Sequence, residues 1–361
     1  MSVRPEVLAT PAYHFSAKPH TVKLDQNESP YDLPAELKQE VVARLAEVPS
    51  NRYPELAGES LRAALAQKHH WDEAGVVVGG GSNTLIQAFV IACGIGQRVL
   101  SVTPTFSVYS LYANLLNAEL TEVPLEEGFA LPTEALKREL SSGQGVLFLA
   151  NPAAPTGNTF DRQAIEDLVQ TAAPNWTVVL DEAYCQFSNT DLSPFARKYP
   201  HVACLRTLSK AFGMGGVRLG FALAQSELAE QLQKVVMPFS VSSLQLAVGL
   251  SVLEHPDFVA ARVAETVEER EKLSRGLRAL DIEVFPSETN FLLFRVADAS
   301  FFYEALLSRG VLIRRQDHLH ALHGCLRVSV GTPQENEVFL AAAEEVVTEI
   351  QGKRVQEVAG G

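Results

Sequence analysis

The sequence lacks what would place it in a membrane, on a nucleic acid or around a metal ion. No apolar run approaches the ~20 residues that cross a bilayer, and the opening MSVRPEVLATPAYHF has no apolar segment of a secretory signal. The cysteines (Cys93, Cys185, Cys204, Cys325) show no CxxC spacing and read as small buried hydrophobes of a cytoplasmic protein. Basic residues are outnumbered, 30 against 43 acidic, for a net charge of −13. That balance excludes a sequence-independent nucleic-acid binder, which needs cations to displace counterions. The glycine turn at 79–81 lacks both the GxGxxG spacing of a dinucleotide site and the lysine of a P-loop. His318, His320 and His323 form HLHALH without HExxH spacing or a carboxylate partner, so we expect solvated loop histidines and no metal.

What remains is the composition of an ordinary globular chain, 47% hydrophobic and 20% charged, with 361 residues, enough for two domains. The first thirty residues carry several prolines and little periodicity and are expected to form an extended arm. A helix fits 34–47, with Leu37, Val41 and Leu45 on one face. Short apolar runs at 76–78, 98–102, 146–150, 177–180, 203–205 and 219–223 then alternate with helical patterns. Continuous apolarity predicts strands covered on both faces, hence an α/β domain around a mostly parallel sheet. The stretch from 241 is expected to start a long connecting helix running past Pro256. Strands at 290–296 and 326–330 and helices at 301–309 and 335–350 predict a smaller α+β unit. The division we expect is an arm at 1–30, a large domain at 46–250, and a small domain from 31–45 and 251–361.

Chemistry concentrates in TLSKAFGMGGVRLG (207–220) and VVLDEAY (178–184). Lys210 offers an amine and Arg218 a bidentate cation, joined by a loop whose glycines let the chain pass close to a phosphate. Asp181 ends an apolar run, where open α/β sheets bind ligands. An amine for an aldehyde, a cation for a phosphate and a carboxylate for a ring nitrogen are the needs of pyridoxal phosphate (PLP). The run 76–78, its glycine turn and a following helix beginning at Ser82 and Asn83 add an anion site at a helix N-terminus. Taken singly, each feature has a plain structural reading. Lys210 could be a surface lysine, Asp181 an N-cap, Tyr184 a core residue and the glycines a turn.

Nearly end to end, the chain resembles the fold-type I PLP aminotransferases, and within them the histidinol-phosphate group. The motifs are KLDQNESP (23–30), NRYPE (51–55), GGGSN (79–83), NPAAPTG (151–157), DEAY (181–184), SKAFGMGGVRLG (209–220) and CLRVSVGTPQEN (325–336). The resemblance implies a homodimer that exchanges an amino group between histidinol phosphate and 2-oxoglutarate in histidine biosynthesis. It implies that Lys210 is the Schiff-base lysine and proton shuttle. Asp181 would pair with the pyridinium nitrogen, and Tyr184 with the phenolic oxygen. Ser82, Asn83, Ser209 and Arg218 would hold the phosphate, Phe106 would stack on the ring, and Asn151 would belong to the cofactor site. Tyr53 would reach the phosphate of the neighbouring subunit. Arg327 would clamp an α-carboxylate, Arg314 would help bind the substrate phosphate or glutamate's side chain, and Tyr13 and Asn27 would lie near the substrate.

The family pattern NPxNPTG departs here, because Ala154 stands where an asparagine donates to the phenolic oxygen. Tyr184 would then carry that oxygen alone, or another donor would substitute. Aromatic aminotransferases and a phosphothreonine decarboxylase share much the same motifs and stay open as alternatives. The role of Arg314 separates the aromatic one, which needs no phosphate site. A catalytically silent PLP-binding regulator would need a basic DNA-binding segment, and we see none.

Overall fold

The computed structural model describes residues 2–11 and 18–359. Tyr13 lies outside them. The strands in chain order are β1 (Val22–Lys23), β2 (Val76–Gly79), β3 (Arg98–Thr103), β4 (Glu119–Pro124), β5 (Gly145–Ala150), β6 (Trp176–Asp181) and β7 (Val202–Thr207). They continue with β8 (Gly220–Leu223), β9 (Glu283–Val284), β10 (Phe291–Arg295), β11 (Val311–Leu312), β12 (Arg314–Arg315) and β13 (Cys325–Ser329).

A seven-stranded sheet in the order β2-β8-β7-β6-β5-β3-β4 forms the centre of the larger unit. Its pairings are parallel except those of β8, which runs against β2 and β7. All residues of β2, β5, β6 and β8 except half-buried Thr177 are buried, as the apolar runs predict for strands covered on both faces. The edge strand β4 escapes the sequence reading because its ELTEVP is half exposed and has no apolar run.

The smaller unit has a four-stranded antiparallel sheet, β12-β13-β10-β9, and the short parallel pair β1-β11. Phe294, Phe302, Leu306, Leu326, Val328 and Phe339 centre its apolar cluster.

Three expectations change. The first thirty residues are not simply an extended arm: Pro5–Ala9 is helical, β1 pairs with β11, and Val22 and Leu24 enter the small unit's core. Apolar residues only two apart carry that packing, too few for a periodic signal. The helix Ala35–Ala46 buries Leu37 and Val41 in the cluster of the large sheet rather than with the smaller unit. The connecting helix is two, Ser243–Leu253 and Pro256–Ala279, because Pro256 cannot donate to the preceding turn and starts a new helix instead. The second of these joins the units, with Val259 in the large-sheet cluster and Leu273 and Leu277 in the small one.

Candidate active site

Parallel strands deliver their following loops to one edge of a sheet, and open α/β folds bind ligands there. The C-terminal ends of β2, β3, β5, β6 and β7 lie at that edge, and at or just beyond them come Ser82 and Asn83, Phe106, Asn151, Asp181 and Lys210 in turn. The sheet order, rather than the chain order, therefore assembles these residues.

Lys210 is half-buried, and its Nζ donates to the Gln26 carbonyl at 3.1 Å. Burial first, then the charges of Arg327, Arg218 and Lys23, pull its pKa down to about 7, against the opposing pull of Glu28. An amine held there is largely a free base just above neutrality. Asp181 is buried at the end of β6. Its Oδ2 accepts from the Tyr109 hydroxyl at 2.6 Å and its Oδ1 from the Ala183 N–H at 3.1 Å. Burial lifts this carboxyl to about 6, while those two donors hold it down and the neighbouring Glu182 raises it.

Tyr184 is buried, edge-on to Phe291, and its hydroxyl accepts from Asn27 Nδ2 at 2.9 Å. That bond leaves the phenol's own proton to donate elsewhere. Ala154 is buried and contributes only a methyl. Asn27 in turn bonds Ser329 of β13 through its N–H at 2.8 Å, so it ties the small unit to the DEAY loop.

A cationic cradle lies at the start of the helix Ser82–Cys93. The first N–H groups of a helix have no intrahelical acceptor, and Arg218 stands beside them. A Cβ added to Gly81, at φ +94°, would sit 2.6 Å from Arg218 Nη2, and one on Gly220 would sit 2.3 Å from the Ser82 nitrogen. Only glycine allows this approach at both positions. Arg218 Nη1 also donates to Ser209 Oγ at 3.3 Å, and Thr207 Oγ1 donates to the same oxygen at 3.0 Å.

Arg314 and Arg327 face each other directly across the β12–β13 pair. Directly opposed residues of an antiparallel pair share a sheet face, and two like charges there repel. Such a pair is at home where an anion lies between. Arg327 Nη2 donates to the Asp25 carbonyl at 2.9 Å, which anchors one guanidinium over Phe291.

Phe106 is half-buried and edge-on to Tyr109, with ring centroids 5.7 Å apart. Asn151 is buried and bonds Asp181 through the backbone at 2.9 Å. Tyr53 is 85% exposed, with its ring against Phe239 at 5.2 Å. The sequence reading missed Tyr109, although its place three residues after Phe106 puts both aromatics on one turn. It also missed buried Arg206, whose guanidinium pairs at 2.8 Å with Glu182, the neighbour of Asp181. Among the described residues, no three His, Cys, Asp or Glu side chains converge to hold a metal ion, and no helix is long and apolar enough to cross a membrane.

A model of the family "aminotransferase class I and II" matches residues 19–342, and the chain belongs to that family. Its relatives within the family are more particular. It is 45% identical to a histidinol-phosphate aminotransferase of Deinococcus radiodurans over 94% of this chain and 95% of the relative. With the enzyme of that name from Thermococcus gammatolerans it shares 39% over 91% and 92%. Among solved structures, histidinol-phosphate aminotransferase from Sinorhizobium meliloti, in complex with pyridoxal-5'-phosphate, superposes with a TM-score of 0.87. The match has 22% identity and covers 97% and 98% of the two chains, and it shows the shared fold.

The chain's own groups suit that cofactor. Arg218 and the helix start suit a dianionic phosphate, and Asp181 suits a protonated ring nitrogen. Asn151 Nδ2 is a buried donor with no protein acceptor, a group that an oxygen of a bound molecule satisfies.

Proposed function

We propose that this chain transfers the amino group of L-histidinol phosphate to 2-oxoglutarate, giving imidazole-acetol phosphate and glutamate, a step of histidine biosynthesis. The observation that carries the reading is the opposed pair Arg314 and Arg327. It offers two guanidinium forks to substrates that bring a phosphate or carboxylates, and the close relatives bear the name of this reaction.

When bound, PLP supplies the electron sink that makes the donor's α-proton labile. Everything else falls to the chain. Lys210 would hold the cofactor covalently and, when its amine is free, would carry the proton at the substrate's α-carbon. Asp181 keeps the ring nitrogen protonated, and Tyr184, braced by Asn27, donates to the phenolic oxygen. Ser82, Asn83, Ser209 and Arg218 hold the phosphate, Phe106 covers the ring, and Asn151 lends its amide. Arg327 clamps an α-carboxylate, and Arg314 takes the substrate phosphate or glutamate's second carboxylate. Asn27 borders the substrate.

The test is a spectral titration of the purified holoenzyme with histidinol phosphate, phenylalanine and phosphothreonine, with product analysis. Histidinol phosphate is expected to convert the cofactor and yield glutamate from 2-oxoglutarate. Preference for phenylalanine, or release of carbon dioxide from phosphothreonine, would overturn the assignment.

The reading includes a cytoplasmic homodimer with shared sites. Tyr53, Leu56 and Phe239 are exposed side by side, with Phe239 N–H bonded to the Leu56 carbonyl at 2.9 Å. The Ser240 carbonyl lies 3.7 Å from where a Gly80 Cβ would be, so this apolar patch borders the phosphate cradle. A second copy covering it would come close to that phosphate, where the family resemblance puts Tyr53 of the partner subunit. Mixing inactive Lys210→Ala subunits with inactive Tyr53→Ala subunits is then expected to restore activity, since one hybrid site keeps both residues. No recovery after proven subunit exchange would count against the shared site.

A further inference from the structure

Tyr109 is fully buried at the start of the helix Val108–Leu115, and three contacts fix its ring. It stacks on Phe148 of β5, with centroids 4.8 Å apart and planes 8° from parallel. It meets Phe106 edge-on, and its hydroxyl donates to Asp181 Oδ2 at 2.6 Å. One side chain thus contacts both Phe106 and Asp181.

The geometry at Asp181 is the informative part. Each carboxyl oxygen already accepts from a protein donor, Oδ1 from the Ala183 N–H and Oδ2 from Tyr109. On a protonated carboxyl the hydroxyl oxygen becomes a much weaker acceptor for one of those donors. An ionised one satisfies both and keeps lone pairs for a third. Burial works the other way and favours the neutral acid. The remaining titratable neighbours do not help: Glu182, whose charge Arg206 opposes, raises Asp181, and Tyr184 adds no positive charge. Of the side chains acting on this carboxyl, Tyr109 is the donor that favours its charge.

We propose that Tyr109 is a positioning residue for the transamination, its phenol holding Asp181 ionised and aimed so that it can keep the cofactor's ring nitrogen protonated. This rests on the reading of Asp181 as the partner of that nitrogen. Tyr109 itself acts through Asp181 and Phe106.

The experiment compares the parent with Tyr109→Phe and with a ring-fluorinated tyrosine placed at 109. The fluorinated residue keeps the ring packing and strengthens the donor. In the full-length apoprotein, the Asp181 carboxyl is followed through a pH titration by carbon-13 labelling. The parent midpoint is expected at about 6. Loss of the phenol is expected to raise it by about one to two pH units, as for a hydrogen bond to a charged group, and fluorination to lower it. A merely structural tyrosine would not give opposite signs.

In the holoenzyme, nitrogen-15 PLP reports the ring proton, which Tyr109→Phe is expected to release at lower pH than the parent. The proposal stands if both shifts appear and falls if either is missing. Asp181→Asn separates the two readings. If it leaves the ring nitrogen unchanged while Tyr109→Phe still moves the Asp181 midpoint in the apoprotein, the Asp181 assignment has failed rather than its coupling to Tyr109.

Discussion

Lys210→Ala is expected to abolish covalent attachment of the cofactor and to lower kcat by at least about 10³-fold, the scale of removing a positioned general base. Borohydride reduction of the parent followed by peptide mapping should place the pyridoxyl label on Lys210, and a label on another lysine would sink the assignment. Lys210→Arg is not expected to rescue, because a guanidinium stays charged in proteins. An added small amine is expected to restore part of the proton transfer and none of the covalent label.

The pH dependence has a definite sign. Burial, Arg327, Arg218 and Lys23 together bring the lysine to about 7, so in the apoprotein it is mainly charged below that pH and mainly free above it. Uptake of PLP by the apoprotein is therefore expected to accelerate as pH rises through about 7. Acceleration only near 10, the range of an ordinary lysine, would show that the site does not depress this amine.

The second large effect divides two arginines that sit opposite one another. Removing a guanidinium that pairs with a desolvated anion costs on the order of 2–5 kcal/mol, which at 1.4 kcal/mol per decade is roughly 30- to several-thousand-fold in the affected step. Glutamate carries an α-carboxylate, whereas histidinol phosphate carries a dianionic phosphate and none. Arg327→Ala is therefore expected to damage the glutamate half-reaction far more than the histidinol phosphate one. Arg314→Ala is expected to hurt histidinol phosphate severely and phenylalanine little. Single-turnover spectra of each variant with each donor separate these outcomes. An untouched histidinol phosphate reaction in Arg314→Ala would remove the phosphate site and favour an aromatic substrate.

The large sheet was legible because its strands are covered on both faces. β5 and the 178–180 centre of β6 are continuously apolar and so announce themselves as apolar runs. The edge strand β4 has one wet face and did not. The break at Pro256 was visible as a proline, yet the apolar pattern on either side of it argued for continuity, and the missing N–H decided otherwise. The motifs around Lys210, Asp181 and Arg218 were legible for a different reason. Cofactor chemistry demands particular functional groups, and local turns hold them at short spacing.

Sequence alone determined the residue types, the strand–turn–helix units that carry them and the resemblance that names their roles. Tertiary structure alone decided which residues meet. Tyr109 reaches Asp181 from 72 positions away, Asn27 reaches Tyr184 from 157, and Arg314 faces Arg327 only through strand register. Hydrogen bonds and charges act over a few ångströms of space. Between distant segments that separation is fixed by how strands pair and sheets pack, and no local pattern of residues encodes it.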